Sequence, residues 1–139
     1  MPTILPMTIA DYDEVIALWR ASEGVGLSRA DERPAIERFL QHNPGLSFVA
    51  REGGRLLGAV ICGTDGRRGY LHHMAVAPES RRQGIGTRLA ETCLSALHEQ
   101  GIDKCHLFVF AANRSAREFW ARIGWKERVE LVIMSHDVL

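Results

Sequence analysis

The run Arg81-Arg82-Gln83-Gly84-Ile85-Gly86 combines charge with small residues at a spacing suited to holding a polyanion. Glycines let a backbone approach phosphate oxygens closely, and a helix start presents unpaired N–H groups carrying roughly half a positive charge. Arg81 and Arg82 add full charges. From Ile85 onward, Leu89, Cys93, Leu94, Ala96 and Leu97 recur on one helical face, and Gly101 fits the left-handed position after a last turn, so a helix ending near Gln100 follows the glycines. Before them, Tyr70 to Ala77 reads as a strand that Pro78-Glu79-Ser80 interrupts. Strand, glycine loop and helix start together make an anion site. Two other phosphate motifs fail: a P-loop requires Gly-Lys-Ser/Thr at its end, and a dinucleotide fingerprint requires a third glycine where Leu89 stands.

The elements that must position this loop can be read on either side of it. Thr3 to Met7 fits a short edge strand that tolerates Pro6. Thr8, with Asp11 three residues later, opens a helix predicted over Ile9 to about Ser22, and Pro34 starts a shorter one carrying Ile36, Phe39 and Leu40. Ser47 to Glu52, the pair Gly53-Gly54 and Arg55 to Thr64 predict a hairpin. Lys104 to Phe110 predicts a strand and Ser115 to Ile123 a helix; Trp125 to Met134 reads as closing strands. Trp19, Phe39, Phe48, Phe108 and Phe110 are the expected aromatic core.

Bulk composition narrows the function classes. Seventeen basic and seventeen acidic residues cancel, so no overall positive field attracts nucleic acid or anionic membrane. With 139 residues, 46% of them hydrophobic and 24% charged, the chain is expected to form one domain, residues 1–139. Three cysteines without a CxxC pair form no closed disulfide framework, which fits a reducing, cytoplasmic home. The N-terminus has no basic segment followed by an apolar stretch, and no apolar run approaches a membrane span, so neither export nor membrane insertion is expected.

The pattern Arg-x-x-Gly-x-Gly at Arg81, Gly84 and Gly86, after Met74-Ala75-Val76, resembles the coenzyme A loop of the GNAT (GCN5-related) N-acetyltransferases. A second block, Asn113-Arg114-Ser115-Ala116-Arg117-Glu118-Phe119-Trp120 with Ile123-Gly124-Trp125, is similar to that family's Asn-x-x-Ala-x-x-Phe-Tyr block and its later Gly-aromatic pair. The order of elements is similar along essentially the whole chain. The resemblance implies an α/β fold: a mixed, mostly antiparallel twisted sheet, splayed in the middle between the strands at Tyr70 and Lys104, with helices on both faces. It implies acetyl-CoA as acyl donor, its pantetheine arm in the splay and paired with the backbone of Met74, Ala75 and Val76. Arg81, Arg82, Gln83, Gly84, Ile85, Gly86 and Thr87 would then hold the pyrophosphate, and Asn113 would hydrogen-bond the arm.

Transfer from a thioester to an amine needs a neutral amine, a stabilised oxyanion and a departing thiolate. Freeing a lysine-like amine of pKa about 10.4 at pH 7 costs about 4 to 5 kcal/mol, whereas an α-amine costs only about 1. His72 is the candidate base, because imidazole titrates near neutrality, and Tyr70, two residues away on the same strand face, is a candidate acid. His73 is expected on the opposite face. Neighbouring strand histidines so arranged do not chelate one ion, and no HExxH or Cys/His spacing occurs, so no metal is expected. Trp120 stands where the family usually has a tyrosine that protonates the thiolate; indole cannot do so, and Trp120 reads either as a wall of the thioester site or as a core aromatic. The segment Glu23 to Glu32 is a loop that, by the resemblance, shapes the acceptor pocket. Two readings follow: an N-acetyltransferase acting on a small-molecule or peptide amine, or an acyl-CoA-binding regulatory module without turnover. The edge of a closing strand offers a route to a homodimer.

Overall fold

The computed structural model describes all 139 residues, which fall into two units, Met1–Phe108 and Val109–Leu139. The first contains a five-stranded sheet in the order β1 (Thr3–Pro6), β2 (Phe48–Glu52), β3 (Arg55–Thr64), β4 (Gly69–Val76) and β5 (Cys105–Leu107). Every neighbouring pair is antiparallel except β4 and β5, which run parallel. The hairpin turns at Gly53-Gly54, both at positive φ, as the sequence predicts.

Strand β3 is central and is buried on both faces from Leu57 to Gly63. On one face, helices α1 (Tyr12–Arg20) and α2 (Arg33–His42) bring Val15, Ile16, Trp19 and Ile36 against Val49, Ala59, Ile61 and Ala75. The other face takes α3 (Ile85–Glu99), whose Leu89 and Ile85 side chains stand over Gly58 so closely that a Cβ there would meet Leu89 Cδ1 at 3.1 Å. Helix α1 is entered through a 3-10 turn, Ile9–Asp11, in which Asp11 accepts the Thr8 N–H at 2.9 Å. Arg51 joins β2 to this corner, 2.8 Å from both Asp11 and Glu14. No helix is long and apolar enough to cross a membrane.

The decisive irregularity lies in β4. Ala59 pairs with Ala75 and Ile61 with His72, so two steps along β3 oppose three along β4. The extra residue makes a β-bulge, and His73 adopts φ +54, a left-handed conformation that histidine tolerates better than most side chains. A bulge shifts the side-chain alternation by one. This corrects the expectation for His73: its ring stands 5.0 Å from that of Trp19, while the ring of His72 stands 6.3 Å from Phe39, so both histidines face α1 and α2.

Strand β5 is shorter than the predicted Lys104 to Phe110. Its pairing with β4 stops at Leu71 and Leu107, and Phe108 is 59% exposed, outside the core expected for it.

In the second unit, helix α4 (Arg114–Arg122) is capped by Asn113, whose Oδ1 accepts the Ala116 N–H at 3.1 Å. Trp120 packs between Phe119 and Trp125, at 5.0 and 5.1 Å between rings, and Arg117 binds Glu127 at 2.8 Å. The closing strands expected over Trp125 to Met134 are not formed. Side chains from Leu131 to Met134 are exposed and the only backbone bond there is a turn from Leu131 N–H to Arg128 C=O. Strand propensity reflects fit to a neighbouring strand, and without one an apolar segment does not form a ladder. Phe110, also expected in the core, is 60% exposed.

Candidate active site

Past Leu71, β4 continues to Val76 bonded only to β3. The edge that faced β5 is therefore open over His72, His73, Met74, Ala75 and Val76, a run of backbone groups that must find partners elsewhere. One is already engaged: the Val76 carbonyl accepts the Arg81 Nε–H at 3.2 Å, which ties the end of β4 to the loop that follows.

That loop turns through a 3-10 turn, Pro78–Ser80, and then through two left-handed residues, Arg82 at φ +64 and Gly84 at φ +77, before α3 begins. Left-handed residues in such a turn expose successive N–H groups on one concave side. The Gly84 carbonyl accepts the Arg88 N–H at 3.0 Å, the first bond of the helix, which leaves the amides of Ile85, Gly86 and Thr87 without helical acceptors. A Cβ placed on Gly84 would meet nothing within 4 Å, so the space over the helix start is open. Arg81, Arg82, Gln83 and Gly84 are exposed, whereas Ile85 and Gly86 are buried against the sheet.

On the α1 and α2 face of the bulge, His72 lies between Phe39 and Phe108, with ring centroids 6.3 and 6.2 Å away. Burial among these rings lowers its pKa below the ordinary 6.5; the charge on His73 acts in the same direction and that of Asp31 opposes it. It is neutral at pH 7. Tyr70 lies 5.8 Å from His106. Tyr12, the other phenol, is buried and donates to the Asp31 carbonyl at 2.6 Å, so Tyr70 is the phenol not held in the core.

Asp31 is the residue that sequence reasoning missed. It sits at 5% exposure in a 3-10 turn, Arg29–Asp31, inside the loop expected to shape the acceptor pocket. Its Oδ2 accepts the Ser28 N–H and its Oδ1 lies 2.9 Å from His73 Nε2. Ser28-x-x-Asp31 is a legible capping signature, but nothing local joins it to a strand forty-two residues on.

Two of the three cysteines are held as thiols. Hydrogen bonding to Cys62 and burial both push the Cys93 thiol far up, and burial pushes Cys105 up to about 12. Neither Cys93 nor Cys105 is a thiolate near neutrality. No group of three or more His, Cys, Asp and Glu side chains is close enough to hold a metal ion.

An open strand edge leading into a glycine turn at a helix start offers backbone partners to a ligand that carries both amides and phosphates. The profile of the acetyltransferase (GNAT) family matches residues 12–125, and the chain belongs to that family. It is 35% identical over 122 residues to acetyltransferase ECA0875 of Pectobacterium atrosepticum, covering 86% of this chain and 80% of that one. Acetyltransferase SG1711 of Sodalis glossinidius is 30% identical over 131 residues, 93% of this chain and 90% of the relative. Among solved structures, a GNAT-family acetyltransferase from Staphylococcus aureus superposes with a TM-score of 0.80 at 21% identity, over 99% of this chain and 94% of that one. A predicted acetyltransferase from Clostridium acetobutylicum, solved with acetyl-CoA, gives 0.76 at 18% identity, over 97% and 96%. These likenesses bear out the mixed sheet with flanking helices and the family read from the two motifs.

Proposed function

We propose that this chain transfers the acetyl group of acetyl-CoA to a primary amine of a small molecule or peptide, by direct attack in a ternary complex. The observation that carries the reading is the continuity of the open edge of β4 with the glycine turn before α3. The pantetheine amides complete the ladder at Met74, Ala75 and Val76, and the diphosphate rests on the amides from Gln83 to Thr87 with Arg81 and Arg82 around it. Direct attack is favoured over an acyl-enzyme because all three cysteine thiols are partly or fully buried and at least two are strongly disfavoured as thiolates. His72 is the base that meets the amine, and Tyr70 the group that protonates the leaving sulfur. The assignments of Asn113 to the arm and of Trp120 to the thioester rest on the family motif alone.

A specific observation supports a second reading. Trp120 occupies the motif position where the resemblance expects a tyrosine, which suits a module that binds acyl-CoA without turning it over. We further place the protein in the cytoplasm as one functional domain, residues 1–139, and assign the exposed apolar run from Leu131 to Met134 to self-association as a homodimer. Release of free thiol from acetyl-CoA in the presence of a panel of amines separates the two readings. Amine-dependent release supports transfer; tight binding with no release supports the module.

A further inference from the structure

Asp31 is the only buried charged residue of the chain. A carboxylate removed from water persists as an anion only where donors compensate it. Here the donors are the Ser28 N–H at Oδ2 and His73 at Oδ1, each at 2.9 Å. A carboxylate accepts and cannot donate, so the hydrogen of this contact sits on Nε2 of His73, and Nδ1 is the nitrogen left to accept a proton. The ring is fixed by the left-handed backbone of the bulge and by edge-to-face packing on Trp19. Tyr12 clamps the turn from below by donating to the Asp31 carbonyl.

We propose that the Asp31–His73 pair is the terminal acceptor of the proton that leaves the substrate amine, with Asp31 as the positioning residue that decides which nitrogen of His73 is basic. The inference rests on the acetyl-transfer reading above. Protonating His72 creates a charge among Phe39 and Phe108, whereas protonating His73 neutralises the charge that Asp31 already brings to the site. The pair is therefore the better resting place for the proton. The 6.4 Å between the His72 and His73 ring centroids exceeds a direct bond between their nitrogens and suits one bridging water.

The substrate ammonium gives one proton to His72, which passes one from its other nitrogen through the water to His73 Nδ1. The amine lone pair then forms the C–N bond, and the C–S electron pair leaves with sulfur. Tyr70 gives its proton to the departing thiolate and is restored by the second proton lost from nitrogen, and His73 returns its proton to solvent. The charged and titratable groups in contact with His73 are Asp31 and His72; Tyr12 on α1 reaches the same turn through the Asp31 carbonyl, and Arg33, 5.0 Å from the Tyr12 ring, pairs with Asp13 at 2.8 Å. From β3, Ala59 and Ile61 present only apolar atoms.

Asp31→Asn tests the pair while keeping its shape. The Ser28 N–H demands an acceptor, so the new amide turns its oxygen there and its NH2 toward His73 Nε2, moving the imidazole hydrogen to Nδ1. Nitrogen-15 NMR of the imidazoles is expected to show His73 as the Nε2–H tautomer in the wild type and as Nδ1–H in D31N. With an alkyl amine at pH 7, kcat in D31N is expected to fall roughly 10²-fold with KM for acetyl-CoA unchanged. His73→Asn, whose side chain also tolerates a left-handed φ, is expected to show the same fall. An Nδ1–H tautomer in the wild type, or wild-type kcat in both folded variants, overturns the inference while leaving acetyl transfer standing. A wild type that releases no thiol with any amine overturns the transfer reading and this role with it.

Discussion

Nε2 of His73 lies 2.9 Å from Oδ1 of Asp31, which fastens the turn before α2 to the bulge of β4 across forty-two residues of chain. Because Asp31 also takes the Ser28 N–H, its carboxylate is a junction between two elements that share no local sequence. Asp31→Ala leaves both donors without an acceptor in a buried place, and a loss of about 1 to 3 kcal/mol follows. Urea unfolding should show a lower midpoint with an unchanged slope. An unaltered midpoint would mean that the contact contributes nothing to the fold.

The environment of His72 sets a pH dependence. Burial lowers its pKa in the folded state below 6.5, so in the window between the folded value and 6.5 the unfolded chain holds a proton that the folded chain does not. Stability must then fall as pH drops below about 6.5 and recover above it. Unfolding midpoints at pH 7.5 and 5.5 should differ less in His72→Asn than in the wild type. Equal differences in both proteins would place the titration elsewhere.

Gly84 is held at φ +77 with open space above it. Gly84→Val should cost about 1 to 2 kcal/mol in backbone strain and weaken acetyl-CoA at least about tenfold, since the new side chain stands where a phosphate would rest. Gly101, at φ +81 beyond the end of α3, also faces open space and is the strain control. Gly101→Val should lose similar stability and keep its affinity in calorimetry. If the two variants bind acetyl-CoA equally well, the loop does not hold the diphosphate.

On the acceptor side, His72→Ala should reduce kcat by roughly 10² and flatten its pH profile near neutrality, while the acetyl-CoA dissociation constant barely moves. Tyr70→Phe is the companion variant. A large drop in kcat assigns the phenol to the leaving sulfur; wild-type kcat in Tyr70→Phe shows that the thiolate departs unaided, as its ordinary pKa near 8.5 permits.

The parts of this fold that were legible in the sequence are those with local causes. Periodicity from Ile85 to Leu97 and the Gly101 stop located α3 to within a residue, and Gly53-Gly54 located the hairpin. The glycine loop was legible because helix-start chemistry is local too. The parity of His73 was not: a bulge is fixed by how β4 registers on β3, and strict alternation put the ring on the wrong face. Asp31 was equally hidden, since its partner is chosen by that bulge. The segment from Trp125 to Met134 has strand-like residues, but a strand requires a neighbour, and propensity alone does not supply one.

The most direct test of the central claim is a time course of free thiol and acetylated amine, measured by mass spectrometry, with acetyl-CoA and a panel of primary amines. Thiol release is expected to depend on the amine, to equal the N-acetyl product in amount, and to be greatly reduced in Gly84→Val. Saturable binding of acetyl-CoA with no amine-dependent release across the panel would contradict it and leave a binding module.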